Sequence, residues 1–154
     1  MRSILPNKAL KLAFVVDDLD EYLERFSTLF DLQKPESIVT GPEEETQIEY
    51  RGMPTAGRAR MGYIPLDNIV LELIEPIDGP SIWRSFLEKR GCGLHHIGFI
   101  VDDLAEVTAD LVNLDLPCVQ RGLFPGMAGA PSGTYTYHDS IEQLGFDIGL
   151  LQFD

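Results

Sequence analysis

Apolar and polar positions fall along this chain in two periods, and the same order of periods occurs twice. Leu12 to Val16 is a short run of apolar, β-branched and aromatic residues, the pattern of a buried strand. An Asp-Asp pair follows, and then Leu19, Leu23, Phe26 and Phe30 recur on one face of a helix. Ile97 to Val101, a second Asp-Asp pair and Leu104, Val107, Leu111 and Leu114 repeat this order. Aligned without gaps, Lys11 to Glu21 matches His96 to Glu106 at a constant offset of 96 − 11 = 85 residues. The Phe, Val, Asp, Asp, Leu and Glu of the two segments are identical at paired positions. An internal repeat of this kind predicts two copies of one structural unit.

Three further strands are expected after each helix. In the first copy they lie near 36–40, 57–65 and 68–75, and in the second near 118–123, 134–138 and 146–153. Turn residues at 66–68, 126–129 and 142–145 separate them. Ser81 to Arg90, ended by Gly91, reads as a linker helix at 81–90. The expected architecture is α+β, one domain over residues 1–154. Two βαβββ modules, about 8–76 and 94–154, form a curved mixed sheet around a central cleft. Asp18 with Glu21 and Asp103 with Glu106 have capping-box spacing, so these acidic pairs read as helix caps rather than catalytic carboxylates.

The whole-chain properties narrow the function. The formal net charge is −13, which repels nucleic-acid backbones and weakly favours a cationic guest. No apolar run approaches the roughly 20 residues of a membrane span. Lys8 and Lys11 interrupt any signal-peptide core, so a cytoplasmic protein is expected. Cys92 and Cys118 fit no zinc motif and read as thiols. The loop from Phe124 to Gly133 lacks the Gly-Lys-Ser/Thr ending of a phosphate loop, and reads as a lid or a plain connection.

The segment Ile69 to Pro76, followed by Ser81 to Leu104 with its Gly-Leu-His95-His96-Ile-Gly-Phe-Ile-Val-Asp-Asp run, resembles the middle of methylmalonyl-CoA epimerases. These belong to the vicinal-oxygen-chelate (glyoxalase/bleomycin-resistance/dioxygenase) superfamily. Tyr50-Arg-Gly-Met-Pro54 is similar to a glyoxalase-like branch of it. The resemblance implies the glyoxalase-like fold, a homodimer, and a divalent metal (Zn, Ni, Co, Mn or Fe) in the cleft. It places ligands on the first and last strands of each module. Glu72 and His96 match that pattern, whereas Lys11 and Gly149 occupy the other two positions. The repeat pairs the same positions, Lys11 with His96 and Glu72 with Gly149. Asp147 or His138 is the candidate third ligand.

Two function classes follow. The first is an isomerase, epimerase or lyase that moves a proton on a small carbonyl or acyl-thioester substrate. Glu72, His96 and Lys11 would be its catalytic groups, and Arg51, Arg58, Arg60, Tyr135 and His138 its substrate contacts. The second is a metal-free small-molecule binding protein of the bleomycin-resistance type. His95 has the opposite strand parity from His96 and is expected to point out of the cleft, and Glu75, opposite to Glu72, is expected in solvent.

Overall fold

The computed structural model describes residues 2–126 and 129–154. Strand β1 (Lys11–Val15) leads into helix α1 (Leu19–Phe30), then β2 (Ile38–Val39) and the single-turn α2 (Glu43–Thr46). A hairpin of β3 (Glu49–Tyr50) and β4 (Met53–Pro54) precedes the long strands β5 (Arg58–Pro65) and β6 (Val70–Asp78). After α3 (Ile82–Arg90), the second copy runs β7 (Gly93–Ile100), α4 (Leu104–Asn113), β8 (Cys118–Phe124), β9 (Gly133–His138), α5 (Ile141–Leu144) and β10 (Asp147–Phe153).

All the strands join one curled sheet in the order β2-β5-β6-β1-β7-β10-β9-β8-β3-β4. Each module contributes four strands in equivalent order, and the modules meet edge to edge where β1 runs antiparallel to β7. Inside each module the first and last strands are parallel, β1 with β6 and β7 with β10. The architecture is thus the expected α+β arrangement of two βαβββ units. The two short strands β3 and β4 lie outside the expected set. Arg51 and Gly52 at the tip of their hairpin both have positive φ, 53° and 77°, as tight two-residue hairpins require. β3 pairs with β8 and covers the free edge of the other module.

The helix caps keep the symmetry of the repeat. Asp18 accepts from the Glu21 amide at 3.0 Å and Asp103 from the Glu106 amide at 2.9 Å. A side chain on the last strand of each module supports the same helix start: Glu75 accepts from Leu19 N at 2.7 Å, and Gln152 from Leu104 N at 2.9 Å. Glu75 is therefore a capping group, not the solvated carboxylate expected. Orphan amides at a helix start draw any acceptor that the neighbouring strand presents.

The two faces of the sheet carry separate cores. On the convex face α1 packs over Leu71, Leu73 and Ile64, and α4 over Ile148 and Leu150. The concave face is filled at one end by α3, whose Ile82, Trp83 and Phe86 meet Ala13, Val15, Met61, Ile74 and Tyr137. Ser81 caps α3 through the Arg84 amide, and the buried Gln120 side chain accepts from Ile82 N at 2.9 Å. Residues 127 and 128 of the Phe124–Gly133 loop lie outside the described residues. No helix among the described residues is long and apolar enough to cross a membrane.

Candidate active site

Strand register brings the candidate groups together on the concave face. One row across the sheet reads Tyr63, Glu72, Ala13, His96, Asp147, and the next reads Val70, Lys11, Gly98, Gly149, Tyr137. Ala13 separates Glu72 from His96, and its small side chain lets the two reach across it. Glu72 Oε1 and His96 Nε2 lie 3.9 Å apart, and both are buried without a hydrogen-bond partner among the described residues.

Lys11 does not turn out to solvent. Its stem lies against Gly98, where a Cβ would come within 2.8 Å of Lys11 Cγ. Its ammonium reaches Glu72 Oε2 at 2.8 Å, with the two side chains 12% and 2% exposed. A carboxylate in such a place is costly unless a cation and hydrogen bonds meet it, and Lys11 supplies one of each. Gly149 has the matching role for His96: a Cβ there would sit 2.7 Å from His96 Cδ2. The position that the resemblance gives to a fourth ligand is thus filled by the imidazole ring itself.

His95 departs from its expected orientation. Between Ala13 and Phe14 the β1–β7 register shifts, so Ala13 faces His96 while Phe14 faces Leu94. This β-bulge leaves His95 as the extra residue and turns it inward with its neighbour. It is fully buried, packed edge-on against Phe86 and Tyr137. Its Nδ1 lies 2.8 Å from His96 Nδ1 and its Nε2 3.5 Å from Asp147 Oδ2.

The two candidate third ligands are engaged elsewhere. Asp147 Oδ1 accepts from the backbone of Ser140 and Ile141, at 3.0 and 3.1 Å, at the start of α5. Its other oxygen faces His95. His138 Nδ1 meets Leu116 O at 2.9 Å, and its Nε2 lies 3.3 Å from Thr136 Oγ1. It occupies the strand position next to Tyr137 and pairs with Ile148 of the convex core, so alternation carries it away from Glu72. Among the described residues no group of three His, Cys, Asp or Glu side chains could hold a metal ion. The donors present do not fit the divalent metal that the resemblance implies, because a cation already occupies the carboxylate.

Of the expected substrate contacts, Tyr135 faces the concave side, where it packs on Trp83 and Tyr137 and accepts from Gln120 Nε2 at 3.3 Å. Arg58 and Arg60 do not border the cleft. Alternation along β5 puts Ala59 and Met61 inside and these two outside. Arg58 donates to Thr40 O, and Arg60 pairs with Asp20 at 3.2 Å and Glu75 at 3.5 Å. Arg51 stands at the hairpin tip, stacked over Tyr50, on the wall of a surface cavity of about 220 Å³ that Asp147 also lines.

Burial sets the protonation of the site. It holds the His96 imidazole well below its ordinary pKa, with the neighbouring His95 and the Lys11 ammonium acting in the same direction. It pushes the phenols of Tyr63, Tyr135 and Tyr137 far up, and the Glu72 carboxylate adds to this. The tyrosines are therefore neutral groups that offer or accept hydrogen bonds, not bases.

Fold and site together define a two-module, curled-sheet protein with a buried Lys–Glu–His centre on its concave face. The chain belongs to the glyoxalase/bleomycin resistance protein/dioxygenase superfamily, whose model matches residues 11–136. It is 34% identical over 64 residues to the uncharacterized protein YqjC of Bacillus subtilis (strain 168). That match covers 42% of this chain and 46% of the relative, so it spans less than half of the curated relative's length. Among solved structures, the hypothetical protein BH1468 from Bacillus halodurans C-125 superposes with a TM-score of 0.64 at 15% identity, over 96% of this chain and 94% of that one. A variant of Streptomyces coelicolor methylmalonyl-CoA epimerase, in complex with 2-nitronate-propionyl-CoA, superposes with a TM-score of 0.61 at 20% identity, over 95% and 96%. At such identities the likeness is one of fold.

Proposed function

We propose that this protein is an isomerase, epimerase or lyase that moves a proton on a small carbonyl or acyl-thioester substrate, with the Lys11 ammonium serving where relatives of this fold use a metal. The observation that carries the reading is the buried centre itself: Lys11 Nζ 2.8 Å from Glu72 Oε2, with Glu72 Oε1 and His96 Nε2 left unpaired 3.9 Å apart. Abstraction of a proton next to a carbonyl places negative charge on its oxygen. A fixed ammonium in a water-poor site stabilises that charge as it develops. Glu72 or His96 takes the proton, since their unpaired atoms Oε1 and Nε2 face one another at 3.9 Å. Carbonyl chemistry needs both halves of this arrangement, a cation and a base. The acyl-CoA ligand of the epimerase neighbour supports the substrate class, and a homodimer belongs to the same proposal.

The test is exchange of the substrate α-proton with D2O, followed by NMR, for methylmalonyl-CoA, propionyl-CoA and a set of small hydroxyketones. We expect one of them to exchange faster than in buffer, at a rate unaffected by EDTA. Lys11→Met should slow it about 100-fold or more, the loss typical of removing one oxyanion-stabilising group. Binding of a panel member with no exchange would instead make the protein a sequestering one of the bleomycin-resistance kind. Sedimentation at micromolar concentration checks the dimer.

A further inference from the structure

The buried histidine pair is one proton short of satisfying both of its carboxylate neighbours. His95 Nδ1 and His96 Nδ1 are 2.8 Å apart, so one donates and the other accepts. When both imidazoles are neutral they hold two ring protons, and this bond uses one. The second sits on His95 Nε2, facing Asp147 Oδ2 at 3.5 Å, or on His96 Nε2, facing Glu72 Oε1 at 3.9 Å. Both nitrogens are buried with no hydrogen-bond partner at normal distance among the described residues. The carboxylates compete for one N–H.

Three observations decide the competition. Asp147 is the nearer of the two. The charge of Glu72 is already met by the Lys11 ammonium at 2.8 Å, which weakens its pull on an imidazole N–H. Among the described residues, His95 is the only basic side chain within ion-pair distance of Asp147. Asp147 is also held in place, because its other oxygen takes the amides of Ser140 and Ile141.

We infer that Asp147, acting through His95, fixes His96 in the tautomer that donates from Nδ1 and turns a bare Nε2 toward Glu72. On the acid–base reading above, this makes His96 Nε2 the atom that receives the substrate proton. Glu72 and Lys11 then form the polar wall against which the substrate oxygen is placed. Asp147 and His95 are positioning residues. The tautomer of one ring nitrogen is set by the bond that the other makes, and here that bond runs through a second imidazole. Burial keeps the His96 ring neutral.

Long-range 1H–15N NMR of 15N-histidine-labelled protein reads the tautomers directly. The chain has three histidines, and His95→Phe and His138→Asn assign them. The wild-type His96 signal should show a protonated Nδ1 and a bare Nε2. Asp147→Asn inverts this. The Asn oxygen still takes the Ser140 and Ile141 amides, while its amide N–H now points at His95 Nε2. His95 must then donate from Nδ1, and His96 becomes protonated on Nε2. Glu72→Gln should leave the wild-type tautomer unchanged. A wild-type His96 carrying Nε2–H, an Asp147→Asn protein with no inversion, or inversion by Glu72→Gln would each overturn the inference. If Asp147→Asn does not fold, the wild-type and Glu72→Gln spectra still decide. No turnover is needed. Inversion in a protein without α-proton exchange removes the functional reading alone, and exchange by a protein whose His96 carries Nε2–H removes this inference alone.

Discussion

The two modules share a backbone and divide the chemistry. Lys11 and His96 occupy equivalent places, as do Glu72 and Gly149, yet the first module supplies an ion pair and the second an imidazole with the space to hold it. All three histidines of the chain belong to the second module. The helix starts, by contrast, are built alike in both, down to a side-chain acceptor from the last strand. Symmetry is thus kept where backbone amides need partners and lost where the concave face needs charge. A duplicated scaffold leaves the second copy of each inward position free to change, provided that every buried charge finds an opposite.

The largest expected effect breaks the charged half. Lys11→Met leaves Glu72 buried without its cation, and should cost about 3–5 kcal/mol in urea unfolding, the usual loss for breaking a buried pair. Lys11→Met with Glu72→Leu should recover most of that loss, because it removes the desolvated charge as well. If the single and double variants are equally unstable, the pair is not what holds this centre.

A smaller effect probes the space in the other half. Gly149→Ala puts a Cβ 2.7 Å from the rigid imidazole of His96, and overpacking of this kind costs about 1–3 kcal/mol. Gly98→Ala meets Lys11 Cγ at 2.8 Å, but that stem is an unbranched, flexible chain. The Gly149 variant should be the less stable of the two by thermal unfolding, and the reverse order would show that Lys11 is the more tightly held side chain. The same contact means that Gly149→Glu does not simply add a metal ligand, since the ring must first be displaced.

Much of this was legible in the chain. The repeat at a constant offset, the Asp caps and the apolar runs placed both modules, because each depends on neighbours close in sequence. The meeting of Glu72 and His96 on one face follows from strand alternation. Three features were not legible. The hairpin at Glu49–Pro54 finds its partner in β8, about seventy residues away, and its four strand residues have no period of their own. His95 turns inward because of a one-residue bulge, and strand parity cannot reveal a place where alternation itself fails. The partners of Arg58 and Arg60 lie on α1, on β6 and in the β2 region, so charge clustering along the chain misread them as a cleft patch.

The imidazoles also make the second module the acid-sensitive one. Burial lowers the pKa of His138, with its ordinary value near 6.5. The unfolded chain then binds a proton below about 6.5 that the folded chain refuses, so stability falls as the pH drops from there toward the folded pKa. His138→Asn keeps a donor for Leu116 O and removes this titration. Between pH 7.5 and 5.5 the stability of the wild-type chain should fall more than that of the variant. Native-state hydrogen exchange should show amides of β8 and β9 opening first at the lower pH. Equal slopes for the two proteins would place the acid sensitivity elsewhere.

The smallest effect tests how far the symmetry of the helix starts extends. Asp18→Ala and Asp103→Ala each remove one cap, worth about 1 kcal/mol. What remains differs between the modules. At α1, Glu75 still presents a negative charge to Leu19 N at 2.7 Å, whereas at α4 the Gln152 amide oxygen meeting Leu104 N at 2.9 Å is neutral. A charge at a helix N-terminus adds about 0.3–1 kcal/mol over a neutral acceptor, and Arg60 at 3.5 Å from Glu75 takes back part of it. Asp103→Ala should therefore be the more damaging by a few tenths of a kcal/mol in urea unfolding. Glu75→Gln makes the two starts chemically alike, so in that background the two losses should become equal. If the difference persists there, its source is the packing of the helices and not the charge at their ends.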